Sequence, residues 1–129
     1  LVVDDVSMNL RLATTVLKKV IPCAKVLTAK NGEEAFIIAQ EKDFDLILMD
    51  LQMPVMDGYE SAELIRTLPN HIMTPIIAFT AGVVSGERER CIEVGMNAFL
   101  KKRSMKTFIL FKRLVNSLYY EIINFLLPA

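Results

Sequence analysis

Three carboxylates, a hydroxyl and an ammonium group stand at the ends of four short apolar runs. Asp4 and Asp5 follow Leu1-Val2-Val3, Asp50 follows Leu46-Ile47-Leu48-Met49, Thr80 closes Ile76-Ile77-Ala78-Phe79, and Lys101-Lys102 follow Ala98-Phe99-Leu100. If the runs are neighbouring strands that point the same way, these side chains meet at one rim. Two carboxylates about 4 Å apart repel by roughly 4 kcal/mol at an effective dielectric near 20, so three together call for a proton or a cation. Hard oxygen donors at a solvent-facing rim suit Mg2+, which keeps several waters and favours phosphate oxygens. With that charge offset, one carboxylate is left able to attack phosphorus and form an aspartyl phosphate. The metal and a lysine would neutralise the transferring phosphoryl group, and the threonine hydroxyl could hydrogen-bond it. Taken singly, each residue reads as a cap, a turn residue or a solvated charge. Only their joint placement, each set ending a different run, points to chemistry.

The elements that must position them alternate along the chain. Strands are expected at Leu1–Asp4, Lys25–Ala29, Asp45–Asp50, Pro75–Thr80 and Asn97–Lys101. The run Leu46–Met49 has no polar break, as in a strand covered on both faces. Helices are expected from Ser7 to Val20, where Leu10, Ala13, Leu17 and Val20 keep a helical period, and after Asn31, where Ala35, Ile38 and Ala39 share a face. Others follow at Tyr59–Thr67, from Ser85 to Glu93, and over Met105–Leu127. Ser7, Asn31, Asp57 with Glu60, and Ser85 are the expected N-terminal caps, Pro22 breaks the first helix and Gly95 stops the fourth. Five β and five α units in strict alternation predict an α/β fold, a parallel sheet with helices on both faces joined by right-handed crossovers. In such sheets ligands bind outside the carboxyl ends of the strands.

The chain of 129 residues suits one domain, and 53% hydrophobic residues are enough for a large core and exclude a disordered chain. Fifteen Lys and Arg balance fifteen Asp and Glu, so there is no global basic field and direct nucleic-acid binding is disfavoured. No run of eighteen apolar residues suggests a membrane span, and the opening Leu1-Val2-Val3-Asp4-Asp5 does not read as a signal peptide. The chain starts at Leu1 without an initiator Met, which reads as a piece excised from something longer. Two cysteines, Cys23 and Cys91, are too few for a disulfide scaffold and read as ordinary thiols of a reducing compartment. His71, the single histidine, reads as an incidental loop residue.

Four stretches carry a family resemblance: Val2-Val3-Asp4-Asp5, Met49-Asp50-Leu51-Gln52-Met53-Pro54-Val55-Met56-Asp57-Gly58, Ile77-Ala78-Phe79-Thr80-Ala81, and Gly95-Met96-Asn97-Ala98-Phe99-Leu100-Lys101-Lys102. In order and spacing they resemble the receiver domain of two-component response regulators, from Leu1 to about Arg103. The resemblance implies a flavodoxin/CheY-like three-layer α/β/α sandwich with a five-stranded parallel sheet of order 2-1-3-4-5 and five helices, in a single domain over residues 1–129. It further implies that Asp50 is the phosphoacceptor, and that Asp5 with Asp4, Asp50 and the backbone carbonyl of Gln52 hold Mg2+. Thr80 is then the hydroxyl that meets the phosphoryl group, Phe99 the aromatic switch, Lys102 rather than Lys101 the active-site lysine, and Ala81 the small residue that admits the donor. The family usually has proline after that lysine, often in a cis peptide. Here the position is Arg103, where a cis bond costs about 2.5–4 kcal/mol, so a trans bond is expected.

The implied function is a phosphorylation-controlled switch. A histidine kinase or histidine phosphotransfer protein donates to Asp50, and the face formed by the fourth helix, fifth strand and fifth helix is remodelled. The isolated domain would turn over only its own phosphoryl group. The wording of the Asp50 motif resembles receivers attached to hybrid sensor kinases, which implies a cytoplasmic location, in some cases on a membrane-bound kinase. Phe108, Phe111, Leu114 or Val115, Leu118, Ile122 and Phe125 would face the sheet, while Ile109, Tyr119, Ile123 and Leu126 add apolar surface that suits a homodimer interface or contact with a neighbouring domain. Lys112, Arg113, Asn116, Glu121 and Asn124 interrupt it and argue against a membrane span. Two rival functions are an aspartyl-phosphate phosphatase and a degenerate receiver acting as an interaction module. Such phosphatases commonly carry a second Asp where this chain has Gln52, and the intact Asp5, Asp50, Thr80 and Lys102 argue against degeneracy.

Overall fold

The computed structural model describes residues 1–81 and 85–101, together with residues 113, 116 and 117. Five strands, β1 (Val2–Val3), β2 (Thr28–Ala29), β3 (Ile47–Met49), β4 (Ile76–Thr80) and β5 (Ala98–Lys101), form one sheet. All pairings are parallel and the order is β2-β1-β3-β4-β5. The described helices are α1 (Ser7–Val20), α2 (Gly32–Glu41), α3 (Gly58–Arg66) and α4 (Glu87–Glu93). The helix expected over Met105–Leu127 lies outside the described residues, except that Arg113, Asn116 and Ser117 are helical or exposed as its polar positions require.

Period-two alternation along the strands divides the core between two faces. Val3, Ile47, Met49, Ile76 and Ala78 pack with Ala35, Ala39, Ala62, Ile65 and Cys91, which places α2, α3 and α4 on one side. Val2, Leu48, Ile77 and Leu100 pack with Leu10, Ala13 and Leu17 of α1 on the other. The three layers follow from this division. The strands are shorter than the sequence suggests: β1 and β3 stop before Asp4 and Asp50, β2, β4 and β5 begin one to three residues later than expected, and Thr80 and Lys101 stay paired in the ladder.

Two caps hold as expected. Asn31 Oδ1 accepts the Glu34 N–H at 2.8 Å, and Asp57 Oδ1 accepts the Glu60 N–H at 2.9 Å. Gly95 ends α4 with φ +90°, a conformation open to glycine. Two caps are corrected. The N-cap of α1 is Val6, without a side-chain cap bond, and Ser7 is already helical. The N-cap of α4 is Gly86 at φ +87°, and Ser85 makes no cap bond. At α1 the nearby carboxylate of Asp4 takes the Val6 N–H at 2.9 Å, so a residue from the strand end substitutes for a hydroxyl cap.

His71 is likewise corrected. It closes a 3-10 turn over Pro69–His71 and is fully buried. Its Nε2 lies 3.1 Å from the Ala39 carbonyl and 2.9 Å from the Lys42 carbonyl, and Nδ1 lies 2.9 Å from Thr74 Oγ1. The ring therefore donates from Nε2 to orphan carbonyls at the end of α2, and stacks on Phe44. Arg66, the last residue of α3, donates to the carbonyls of Gly95, His71 and Thr74 and to Asn97 Oδ1. These bonds tie α3 to the entries of β4 and β5, at the end of the sheet opposite the strand carboxyl ends.

Candidate metal centre

β1 lies between β2 and β3, so the winding direction reverses at the β1/β3 boundary, the place where such sheets leave a crevice. Register aligns Val3 with Met49. The next residues, Asp4 and Asp50, therefore leave adjacent strands at one level. Their backbones are fixed there, with the Asp50 N–H on the Val3 carbonyl at 2.9 Å and the Asp4 N–H on the Ala29 carbonyl at 3.1 Å. Carboxylate oxygens of Asp4, Asp5 and Asp50 all lie within 4.8 Å of one another. Asp4 is 3% and Asp50 7% exposed, whereas Asp5 is open to solvent. Three hard anionic donors, one facing water, fit a hydrated divalent cation such as Mg2+.

Asp4 Oδ1 also accepts from Asn9 Nδ2 at 3.3 Å. Together with the Val6 N–H this fixes the orientation of the carboxylate. Asn9 was invisible as a site residue in sequence. Its only signal is an amide one turn into a helix that starts beside an acidic pair.

The β3–α3 loop passes directly over the phosphoacceptor candidate. A Cβ at Gly58 would stand 2.0 Å from the Asp50 carbonyl oxygen and 3.0 Å from Leu51 Cα, so only glycine lets α3 begin there. The Gly58 N–H closes the loop onto the Leu51 carbonyl at 3.0 Å, and the Met56 N–H bonds the Pro54 carbonyl at 2.9 Å. That last bond makes a γ-turn centred on Val55 at φ +72°, a strained form for a β-branched residue. Gln52 is exposed on the same loop, and among the described residues no donor reaches its carbonyl.

Thr80 ends β4 and is 4% exposed. Met49 pairs with Ala78, so Thr80 stands one residue beyond the level of Asp50 on the next strand. Ala78 pairs with Phe99 and Thr80 with Lys101. Phe99 therefore shares the α2–α4 face with Thr80, half-buried against that core. Lys101 is exposed at the strand end, while Lys102 and the Lys102–Arg103 bond lie outside the described residues. Beside the loop an open groove runs to α4, where the Arg90 guanidinium sits 4.1 Å from the centroid of the Tyr59 ring. Burial, with Cys91 and Glu87 nearby, pushes the Tyr59 phenol up to about 12. Burial likewise pushes the Cys91 thiol up, which keeps it protonated, and Cys23 is exposed.

Against known proteins, a family model described as "Response regulator receiver domain" matches residues 1–112. The chain belongs to the response regulator receiver domain family. The chain is 40% identical over 100 residues to the signal transduction histidine-protein kinase BarA of Escherichia coli, covering 78% of this chain and 11% of that protein. It is 40% identical over 105 residues to the sensor histidine kinase GacS of Pseudomonas protegens, with 79% and 11% covered. This receiver domain thus spans about a tenth of the length of those curated relatives. Among solved structures, the receiver domain of sensor histidine kinase PA1611 from Pseudomonas aeruginosa, with a magnesium ion coordinated in its active-site cleft, superposes at TM-score 0.79 with 32% identity over 90% of this chain and 92% of that one. The receiver domain of the Arabidopsis thaliana histidine kinase CKI1, complexed with Mg2+ and BeF3-, gives 0.78 with 32% identity over 92% and 87%. The fold and the family place the chain in two-component signalling. No helix among the described residues is long and apolar enough to cross a membrane.

Proposed function

We propose that this receiver accepts a phosphoryl group on Asp50 from a phosphohistidine of a histidine kinase or phosphotransfer partner. The observation that carries the proposal is the cluster of Asp4, Asp5 and Asp50 oxygens within 4.8 Å at the switch point of the sheet. Asp4, Asp5, Asp50 and the Gln52 carbonyl would hold Mg2+, which when bound offsets the charge of the carboxylates and of the incoming phosphoryl oxygens. A carboxylate oxygen of Asp50 attacks the phosphorus of a phosphohistidine protonated on its other ring nitrogen, the N–P bond breaks with its electron pair going to nitrogen, and neutral imidazole leaves on the partner. The Thr80 hydroxyl donates to a phosphoryl oxygen, and Lys102 supplies the ammonium. Drawing Thr80 toward the acyl phosphate opens room on the face it shares with Phe99, whose ring turns inward and remodels the α4–β5 surface. The domain takes up and slowly hydrolyses its own phosphoryl group, without turnover of other substrates.

The same reading makes residues 1–129 one receiver domain of a hybrid sensor kinase on the cytoplasmic side. It pairs through its C-terminal helix face and does not touch nucleic acid, in keeping with its zero formal net charge. The test is incubation of the purified domain with acetyl phosphate or phosphoramidate, with and without Mg2+. An adduct is expected only with Mg2+, on wild-type protein and not on Asp50→Asn. Absence of any adduct on the wild type from either donor rejects the proposal.

A further inference from the structure

We infer that Ser61 and Gly32 form a clasp that positions the Gln52 carbonyl, making Ser61 a positioning residue for the divalent cation. This rests on the reading of the site proposed above. Ser61 lies on α3 and Gly32 opens α2, far apart in sequence and both buried. The Ser61 hydroxyl donates to the Gly32 carbonyl at 2.8 Å, and the Gly32 N–H donates to the Met56 carbonyl at 3.0 Å. A Cβ at Gly32 would stand 2.7 Å from the Met56 oxygen, 2.8 Å from the Asp57 oxygen and 2.8 Å from Ser61 Cβ. The start of α2 is therefore pressed against the loop that carries Gln52, and α3 holds it there.

The loop needs such a hold. Val55 at φ +72° is a β-branched residue in a strained conformation that persists only where its surroundings over-determine it. The carbonyls of Leu51, Pro54, Met56 and Asp57 each accept a backbone N–H, from Gly58, Met56, Gly32 and Ser61 respectively. The Gln52 carbonyl, like those of Met53 and Val55, meets no backbone donor among the described residues, so its direction is set by the bonded positions around it. Fixing its neighbours fixes where it points. Without the Ser61 hydroxyl, the strain at Val55 is free to relax by moving the loop, and the Gln52 carbonyl moves with it.

Residues that orient metal ligands are typically worth about 10–100-fold in metal affinity. Ser61 acts through backbone, so the lower end, about tenfold, is expected for Ser61→Ala by Mg2+ titration calorimetry. Val55→Gly removes the strain, and added to Ser61→Ala it is expected to restore most of the affinity, a rescue that a merely structural serine does not predict. Coupling is reciprocal. In the wild-type domain, saturating Mg2+ is expected to slow hydrogen exchange at the Gly32 N–H by about the same tenfold, although Gly32 offers the metal no ligand. That measurement stands even if Ser61→Ala does not fold. Mg2+ binding by Ser61→Ala within twofold of wild type, a double variant no tighter than Ser61→Ala, or Gly32 exchange indifferent to Mg2+ overturns the clasp. A wild-type domain that binds no Mg2+ overturns the underlying site instead.

Discussion

Substituting Asp50, the proposed phosphoacceptor, should make the metal-free domain more stable. Asp4 and Asp50 are both buried, and their nearest carboxylate oxygens are at most 4.8 Å apart. At an effective dielectric of 20 two charges at that distance repel by about 3.5 kcal/mol. Counterions and water at the open rim, where Asp5 is exposed, and the partners that Asp4 and Asp50 already hold reduce this, leaving about 1–2 kcal/mol to be released by Asp50→Asn, which keeps the shape and removes the charge. For a chain of 129 residues each kcal/mol moves the midpoint by roughly 4 °C, so a rise of about 4–8 °C is expected in EDTA at low salt by calorimetry. The order should then close up in Mg2+. A ligand at 100 times its dissociation constant adds about 2.7 kcal/mol, and only the wild type keeps the full donor set. High salt should shrink the metal-free difference, because it screens the same repulsion. An Asp50→Asn variant no more stable than wild type in EDTA, or one with an undiminished Mg2+ response, would refute the electrostatic account of the site.

Two other outcomes follow from groups outside the metal cluster. Tyr59 is held protonated by burial, up to about 12. Its folded value lies above the ordinary value of 10.0, so the stabilisation is complete below pH 10 and is lost as pH rises through about 12. A phenolate absorbance titration should show one of the three tyrosines ionising late and together with unfolding, and Tyr59→Phe should remove that phase. Arg66→Lys should destabilise the fold by about 2–4 kcal/mol in denaturant, because one ammonium cannot serve four acceptors spread around a planar fork. Mg2+ affinity should stay within about twofold, since Arg66 works at the far end of the sheet.

The strand and helix alternation was legible because each element repeats its own period. Leu10, Ala13 and Leu17 mark one helical stripe, and the polar-free run before Asp50 marks a strand covered twice. Asn31 and Asp57 were legible as caps because the bond they make is local, three residues away. Ser7 and Ser85 misled for the complementary reason. At α1 the Val6 N–H is met by Asp4, and α4 begins at a left-handed Gly86 without a side-chain cap, neither of which sequence spacing alone reports. His71 was misread because its partners, Ala39 and Lys42, lie about thirty residues back along the chain.

By itself the chain determined which residues could do chemistry. Asp4, Asp5, Asp50 and Thr80 each end an apolar run, and residue type and period are local properties written in order along the backbone. Tertiary structure alone decided that register sets Asp4 level with Asp50 and that Phe99 shares a face with Thr80. It alone made Asn9 orient a carboxylate, and it alone brought Gly32 and Ser61 against the loop over the site. Those relations are distances between segments far apart in sequence, fixed by close packing and by hydrogen bonds that exist only once the sheet and its helices are assembled.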